Sequence, residues 1–244
     1  MSHVDWPRVV AFVAAVVAVW VLSGALKSAG RLPCDVCRKV NHVLALAGGA
    51  VWFGWLPAAT AEASVYAAFA LLLPCVGLAC GFRDLGPFRL MFLANTRRSD
   101  APHEVLYFWS SWVVSMAGLG GIQLAFGDIV VTRTAALLVG IGDGVAEPVG
   151  RRFGRHRFRV PTLTRGRPAF RSLEGCAAVF VGCFLTLVAC FGTASIPAAA
   201  ALAAVLTVVE AVSPHGLDNL TIPVAAALLL RPALAAGWLA GHVS

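Results

Sequence analysis

The stretch from Gly140 to Gly154 contains the residue types that phosphate chemistry requires. Asp143 stands between Gly142 and Gly144, and eight arginines follow between positions 151 and 171. Glycine allows a ligand to approach the backbone closely, guanidinium groups match phosphate oxygens, and a carboxylate beside a polyphosphate can hold Mg²⁺ or accept a hydroxyl proton. The alternative is that the glycines only pack helices and the arginines only orient a loop. The eight are Arg151, Arg152, Arg155, Arg157, Arg159, Arg165, Arg167 and Arg171.

A second acidic residue follows this basic stretch. Glu174 lies two residues after Ser172, at the start of an apolar run. Ser172 is a suitable helix N-cap, and the helix dipole favours an anion such as Glu174 in the first turn. A purely structural, capping role for Glu174 is therefore the alternative to a catalytic one.

A third group of oxygen-bearing side chains lies close to position 214. Glu210 precedes a turn that contains Pro214 and Gly216, and Asp218 and Asn219 follow the turn. A tight reversal would bring these three side chains to one depth in the membrane, where carboxylate and amide oxygens suit Mg²⁺. The alternative is that Asp218 and Asn219 cap the next helix.

The composition determines the class of protein. The chain has 244 residues, of which 59% are apolar and 13% charged, and its mean hydropathy is +0.82. Soluble domains are roughly 45–50% apolar and about 25% charged, and a globule of this size cannot bury so large an excess of apolar residues. We therefore exclude a soluble enzyme, a disordered chain and a disulfide scaffold, and predict an all-α, polytopic, integral membrane helical bundle.

Eight apolar runs are long enough to cross about 30 Å of hydrocarbon as helices. Few of the charged residues lie within them, and no linker or repeat divides the chain. We therefore predict one integral membrane domain, 1–244, with a basic loop at 150–172. The eight predicted spans are 9–26, 40–56, 63–80, 105–126, 129–149, 173–192, 195–212 and 219–240.

The basic residues predict the orientation in the membrane. Alternate loops carry 16 of the 19 Lys and Arg residues, and the opposite set, with both termini, carries only Arg8. Basic loops stay in the cytoplasm, so both termini should face outside a cytoplasmic membrane. The polar groups at the ends of the predicted spans, which include Lys39 and His42, then lie on the cytoplasmic side. Ionisable groups near hydrocarbon usually mark a site, so we predict one active site facing the cytoplasm.

In order and spacing, these segments resemble the CTP-dependent polyprenol kinases, a family that includes kinases of phytol, dolichol and diacylglycerol. The family usually has Lys at the position of Arg171 and Ser at that of Cys176. Two further segments, Arg38-Lys39-x-x-His42 and Glu104-x-x-Tyr107-Phe108, resemble the starts of two of its helices. The main matching motifs are Gly142-Asp143-x-x-Ala146-x-x-x-Gly150-x-x-x-Gly154, Arg171-Ser172-x-Glu174-Gly175, and Glu210 with Asp218-Asn219-x-Thr221-x-Pro223.

The resemblance implies transfer of the γ-phosphoryl group of CTP to a membrane lipid alcohol, with Mg²⁺ as cofactor. It implies that Asp143 and Asp218, with Glu210 or Asn219, hold the Mg²⁺ ion. The implied nucleotide-binding residues are Gly142, Lys39, Arg151, Arg152 and Arg171. The implied catalytic residues are Asp143 together with Glu174 or His42, which would position or deprotonate the lipid hydroxyl.

Two other functions stay open at this point. A CTP-dependent phosphatidate-type cytidylyltransferase would use the same nucleotide, and a transporter or non-catalytic membrane protein would use none. No nucleic-acid partner is expected, because the arginines lie in loops beside the membrane. The acceptor lipid and the oligomeric state cannot be read from the sequence. Cys34 and Cys37 form a single pair and lack the four ligands of a zinc site.

Overall fold

In a computed structural model, the described residues are 3–97, 100–161, 169–214 and 217–239, with the side chain of Asp35 excepted. Of the described residues, 81% are helical, which agrees with the predicted all-α class. The chain divides into two compact units, 1–113 and 114–244, and the division falls within one helix. We describe each unit by itself, and the single-domain prediction stays a prediction.

The first unit contains five α-helices and the beginning of a sixth. A π-helical segment, Leu44–Gly48, joins α2 to α3. The helices are α1 (Trp6–Ser28), α2 (Cys34–Val43), α3 (Gly49–Phe53), α4 (Ala58–Gly81), α5 (Gly86–Asn95) and α6 (Glu104–Phe126), the last of which continues into the second unit.

Aromatic pairs lie in the core of the first unit, together with buried aliphatic side chains. Trp20 of α1 is fully buried and meets Phe108 edge to face, with ring centroids 6.1 Å apart. Phe12 and Phe53 form a similar pair at 5.3 Å. Aromatic pairs in this geometry stabilise a core beyond the area that they bury. The packing of α1 against α3 and α6 therefore depends on large side chains.

Helix α5 lies within a segment that the sequence assigned to a loop. It packs closely on α1, because a Cβ atom at Gly24 would overlap the carbonyl of Leu90. Side chains from α1 and α2 bind the carbonyls at its C-terminal end: Lys27 Nζ donates to Leu93 O and Thr96 O, and Asn41 Nδ2 donates to Ala94 O at 3.3 Å. These contacts satisfy groups that a helix end leaves unpaired.

The two cysteines of α2 contact the same C-terminal end of α5. Cys34 Sγ lies 3.5 Å from Thr96 O, and Cys37 Sγ lies 3.3 Å from Ala94 O. Burial raises the pKa of the Cys37 thiol above its ordinary value, which disfavours the reactive thiolate. Both cysteines therefore pack α2 against the end of α5.

The second unit contains the remaining helices and one β-hairpin. A second π-helical segment, Val139–Asp143, joins α7 to α8, and a short 3₁₀ turn, Thr193–Ser195, precedes α10. Helix α9 packs on α8 and α10, and α11 packs on α7 and α10. The elements are α7 (Ile129–Leu138), α8 (Gly144–Phe153), β1 (Arg157–Val160), β2 (Ala169–Ser172), α9 (Leu173–Phe191), α10 (Ile196–Val212) and α11 (Asp218–Ala235).

Small residues bring α8 and α9 together. A Cβ atom at Gly142 would lie 2.8 Å from Cys183 Sγ, and one at Gly175 would lie 3.3 Å from Ala146 O. At Gly150 it would lie 3.1 Å from Ser172 Oγ. The glycines of the motif at 140–154 therefore allow close helix packing, which is the structural role that the sequence left open for them.

Six helices in the described part of the chain are long and apolar enough to span a membrane, which indicates an integral membrane protein. Predicted spans 40–56 and 219–240 also coincide with helices, but these helices carry polar residues at their beginnings, and the count of eight is not confirmed. The spans are Trp6–Ser28, Ala58–Gly81, Glu104–Phe126, Ile129–Phe153, Leu173–Phe191 and Thr193–Val212.

The predicted basic loop at 150–172 has a structure of its own. Its first residues continue α8, and β1 and β2 then form an antiparallel pair in which Phe158 lies opposite Arg171. The sequence did not predict this hairpin. Arg165 and Arg167 lie outside the described residues.

Candidate functional site

Arg171 is the centre of the candidate site. Its guanidinium forms an ion pair with Glu210 through Nη1, and its Nη2 lies 3.6 Å from Asp218 Oδ2. The same Nη2 donates to the carbonyl of Ser213 at 3.2 Å. A single side chain therefore binds the last turn of α10, the first turn of α11 and the connection between them.

The local sequence explains why Glu210 and Asp218 meet at this position. Helix α10 ends at Val212, and the Leu217 amide donates to Pro214 O as the chain reverses. The hydroxyl groups of Ser213 and Thr221 lie 2.6 Å apart and connect the two sides of the turn. His215 and Gly216, which the sequence assigned to the turn, lie outside the described residues.

The three charged side chains are largely shielded from solvent. The exposed fractions are 10% for Arg171, 7% for Glu210 and 18% for Asp218. Buried charges are costly unless they are paired. The contacts with Arg171 therefore compensate for the burial of both carboxylates.

Two polar atoms of this cluster lack hydrogen-bond partners among the described residues. They are Arg171 Nε, a donor, and Asn219 Oδ1, an acceptor, and both are buried. Unpaired buried polar atoms are uncommon and call for an explanation such as a bound ion, water or ligand. Arg171 Nε can therefore donate to one further acceptor, such as an anionic group, and Asn219 Oδ1 can accept from one further donor or bind a cation.

Asp143 lies at the end of the π-helical segment, in a different part of the second unit. It is 7% exposed, and α11, which carries Asp218, packs against this segment. π-Helical turns are rare and occur frequently at functional sites. Gly142, the predicted nucleotide-binding glycine, lies against Cys183 of α9.

The two predicted phosphate-binding arginines that follow Asp143 lie at the exposed end of α8. Arg151 forms an ion pair with Glu147 at 3.7 Å, one turn earlier. The Arg152 guanidinium lies 5.6 Å from the centre of the Phe153 ring. Both cations are accessible to a soluble ligand.

Glu174 lies at the N-terminal end of α9, as predicted. Ser172 caps this helix, because its Oγ accepts the Gly175 amide at 3.1 Å. The Glu174 carboxylate also binds His156, with Oε1 2.8 Å from the ring Nδ1 and 3.3 Å from the backbone nitrogen. Glu174 therefore attaches the hairpin to α9. The sequence reasoning missed His156, because no spacing pattern connects two residues across a hairpin.

Lys39 and His42, the other predicted site residues, lie on α2 in the first unit. Their neighbour Asn41 is buried between α1 and α5, where it bonds to Ser23 and Ala94. The roles proposed for Lys39 and His42 stay predictions.

The predicted Mg²⁺ ligands fit a particular kind of metal site. Among the described residues, no group of three or more His, Cys, Asp and Glu side chains lies close enough to hold a metal ion. In nucleotide enzymes, however, Mg²⁺ is commonly held by one or two carboxylates and by substrate phosphates. Glu210, Asp218 and the unpartnered Asn219 Oδ1 supply this donor chemistry.

Comparison with known proteins gives one informative similarity. Phytol kinase from Synechocystis sp. (strain ATCC 27184 / PCC 6803 / Kazusa) is 27% identical to this chain over 201 residues, which cover 81% of this chain and 78% of that protein. No family model matches the chain, and no solved structure matches it. At this level of identity, the similarity points at most to the polyprenol and phytol kinases, and to no particular member among them.

Proposed function

We propose that this protein is a membrane lipid-alcohol kinase that transfers the γ-phosphoryl group of CTP, or of another nucleoside triphosphate, to an isoprenoid alcohol or diacylglycerol. The observation that carries the proposal is the meeting of Arg171, Glu210 and Asp218, three residues of separate motifs, in a chain similar to a phytol kinase. Phytol is the first acceptor to test.

The charged residues have complementary roles in this proposal. Arg171 binds the triphosphate, together with Arg151 and Arg152 at the exposed end of α8. Arginine suits this task because its planar fork of N–H groups matches phosphate oxygens. The buried Nε of Arg171 is a donor that is still available while the guanidinium holds Glu210 and Asp218.

Mg²⁺ would be held by Asp218 and Asp143, with Glu210 or Asn219 as a further ligand. When bound, it would neutralise charge on the phosphates during transfer. The packing of α11 against the segment that ends at Asp143 supports a shared role for Asp143 and Asp218.

The reaction forms one bond and breaks another. The alcohol oxygen attacks the γ-phosphorus, the bond to the β–γ bridging oxygen breaks, and CDP leaves with the electron pair. The hydroxyl proton passes to a base, for which Glu174 and His42 are the candidates. Catalysis of this kind depends mainly on positioning and charge neutralisation.

The membrane setting supports a lipid acceptor. Candidate spans end at Phe153 and begin at Leu173, so the hairpin between them lies at a membrane surface. We propose that this is the cytoplasmic surface of the cytoplasmic membrane, where soluble nucleotide and lipid meet. The proposal includes crossing of the membrane by the predicted spans 40–56 and 219–240 as well as the six candidate spans, and both termini then face outside.

Position-specific labelling of the nucleotide tests the proposal. Purified protein in phospholipid vesicles is incubated with phytol, Mg²⁺ and CTP labelled at either the α or the γ phosphate. We expect γ label in phytyl phosphate and unlabelled lipid in the α experiment. Label from the α position would indicate cytidylyl transfer, and no label from either position, across a panel of lipid alcohols and nucleotides, would contradict an enzymatic function.

A further inference from the structure

We infer that Arg171 acts as an internal counter-ion, whose guanidinium occupies the position that a divalent cation takes between Glu210 and Asp218 when nucleotide binds. The inference deepens the proposed function and rests on it. It assigns Arg171 two alternative partners: the carboxylates in the free protein and the triphosphate in the complex.

The first argument is the geometry of the contacts. The two terminal nitrogens of Arg171 face different carboxylates, with Nη1 at Glu210 and Nη2 at Asp218. A guanidinium in this bridging position does what a shared metal ion would do, which is to hold two acidic groups close together despite their repulsion.

The second argument is the charge balance of the buried cluster. Two carboxylates share one guanidinium, so one formal negative charge remains in a largely buried place. Without the guanidinium, two formal negative charges would remain there, and a cation would be favoured far more strongly. Asn219 Oδ1, buried and unpartnered among the described residues, adds a neutral oxygen to the donors available.

The third argument concerns how Arg171 is held. It lies on β2 of a two-stranded hairpin that is fastened to α9 by the contact between His156 and Glu174. Its Nε has no partner among the described residues, so the guanidinium has a free donor with which to bind a phosphate oxygen. A triphosphate that binds Arg171 weakens its hold on Glu210 and Asp218, and the two carboxylates then become available to a divalent cation.

The arrangement makes nucleotide and cation binding cooperative. The nucleotide draws the guanidinium of Arg171 away from the carboxylates, and the cation neutralises the carboxylates that are left unpaired. Such coupling is reciprocal by thermodynamic necessity. It also keeps the two carboxylates from trapping a cation when no nucleotide is bound.

Titration with Mn²⁺, followed by electron paramagnetic resonance, tests the inference in the full chain in phospholipid vesicles without lipid alcohol. Without nucleotide, we expect Arg171→Met to bind Mn²⁺ at least about tenfold more tightly than the wild type, because the internal cation is gone. Arg159→Met is the matched control, since Arg159 is exposed on the other strand of the same hairpin, and it should bind like the wild type. Adding Glu210→Gln and Asp218→Asn to Arg171→Met should abolish the gain.

Equal Mn²⁺ affinity in the wild type and a folded Arg171→Met would overturn the inference. If that variant does not fold, the wild-type protein provides the test. A non-hydrolysable CTP analogue should raise the Mn²⁺ affinity of the wild type several-fold, and no increase would overturn the inference. The Mn²⁺ titration without nucleotide does not depend on catalysis. A positive result there, with no γ label transferred to any lipid alcohol, would therefore reject the kinase and keep the internal counter-ion.

Discussion

The polar side chains at the end of α5 in the first unit and those around Arg171 in the second have different kinds of partner. In the first unit, Lys27 and Asn41 donate to backbone carbonyls at the end of α5. In the second, Arg171 binds the carboxylates of Glu210 and Asp218. A side chain that caps a helix end completes secondary structure, whereas buried side chains that pair with one another create a charged site.

The two units also differ in how their apolar residues pack. Aromatic pairs such as Trp20 and Phe108 lie in the core of the first unit, where Gly24 makes one close backbone contact with α5. In the second unit, glycines such as Gly150 and Gly175 bring α8 and α9 together. Close packing of helix backbones fixes the hairpin that carries Arg171. We therefore interpret the first unit chiefly as scaffold, apart from the predicted roles of Lys39 and His42, and the second as the unit that carries the charged site around Arg171.

The largest expected effect comes from removing the central cation. We predict that Arg171→Met lowers phosphoryl transfer by about 1000-fold, because an arginine on the transferred group contributes on that order in phosphoryl-transfer enzymes. Lys27→Met, a change of the half-buried cation in the first unit, should leave the activity per folded molecule unchanged. The measurement is γ-label transfer to lipid, normalised to folded protein. Equal losses in the two variants would remove the distinction between the units.

Removing a buried carboxylate should reduce stability strongly. We predict that Glu210→Leu lowers the free energy of unfolding by about 3 kcal/mol, because Arg171 loses its main partner in a buried position. Asn41→Leu in the first unit should cost about 1–3 kcal/mol through its lost hydrogen bonds. Unfolding in a titration with denaturing detergent compares them. If Glu210→Leu were as stable as the wild type, the ion pair would not hold α10 to β2.

A methyl group added at a close backbone contact should be tolerated differently in the two units. An alanine Cβ at position 154 would overlap the Gly150 carbonyl and lie 2.7 Å from Ser172 Oγ, and one at position 24 would overlap the Leu90 carbonyl. Overpacking of this kind costs about 1–3 kcal/mol. We expect both Gly154→Ala and Gly24→Ala to lower the melting temperature, and only Gly154→Ala to reduce kcat, because it displaces the hairpin. A full rate in folded Gly154→Ala would show that the position of the hairpin is not critical.

The smallest expected effect is the loss of a helix cap. Ser172 caps α9 and Asp5 caps α1, each by accepting a backbone amide at 3.1 Å. Replacing either residue by Ala should cost about 1 kcal/mol in stability. We predict that only Ser172→Ala also weakens nucleotide binding, which fluorescence titration with a labelled CTP analogue would measure. A similar decrease in Asp5→Ala would contradict the comparison.

The sequence was most informative about local structure. The membrane class follows from composition, and the cap at Ser172 and the position of Glu174 in the first turn of α9 are confirmed, because each depends on residues a few positions apart. The number of spans was harder to predict. Helix α2 carries Lys39 and has only ten residues, and α11 begins with Asp218, so length and hydropathy alone do not establish that the predicted spans 40–56 and 219–240 cross the membrane.

Contacts between distant residues could not be read from the sequence. The pairing of β1 with β2 depends on a partner strand that local patterns do not identify. The motifs identified Arg171, Glu210 and Asp218 as candidate site residues. They did not predict that the guanidinium would bind the carboxylates directly. That contact joins three elements, and only the tertiary fold determines it.

The most direct measurement of the central claim is the rate of γ-label transfer by Asp218→Asn, a substitution that keeps the shape of the side chain and removes its charge. We predict that the variant folds, because Arg171 retains its pair with Glu210, and that it transfers phosphate to phytol at least about 100-fold more slowly than the wild type. A folded Asp218→Asn protein that phosphorylates lipid at the wild-type rate would contradict the account.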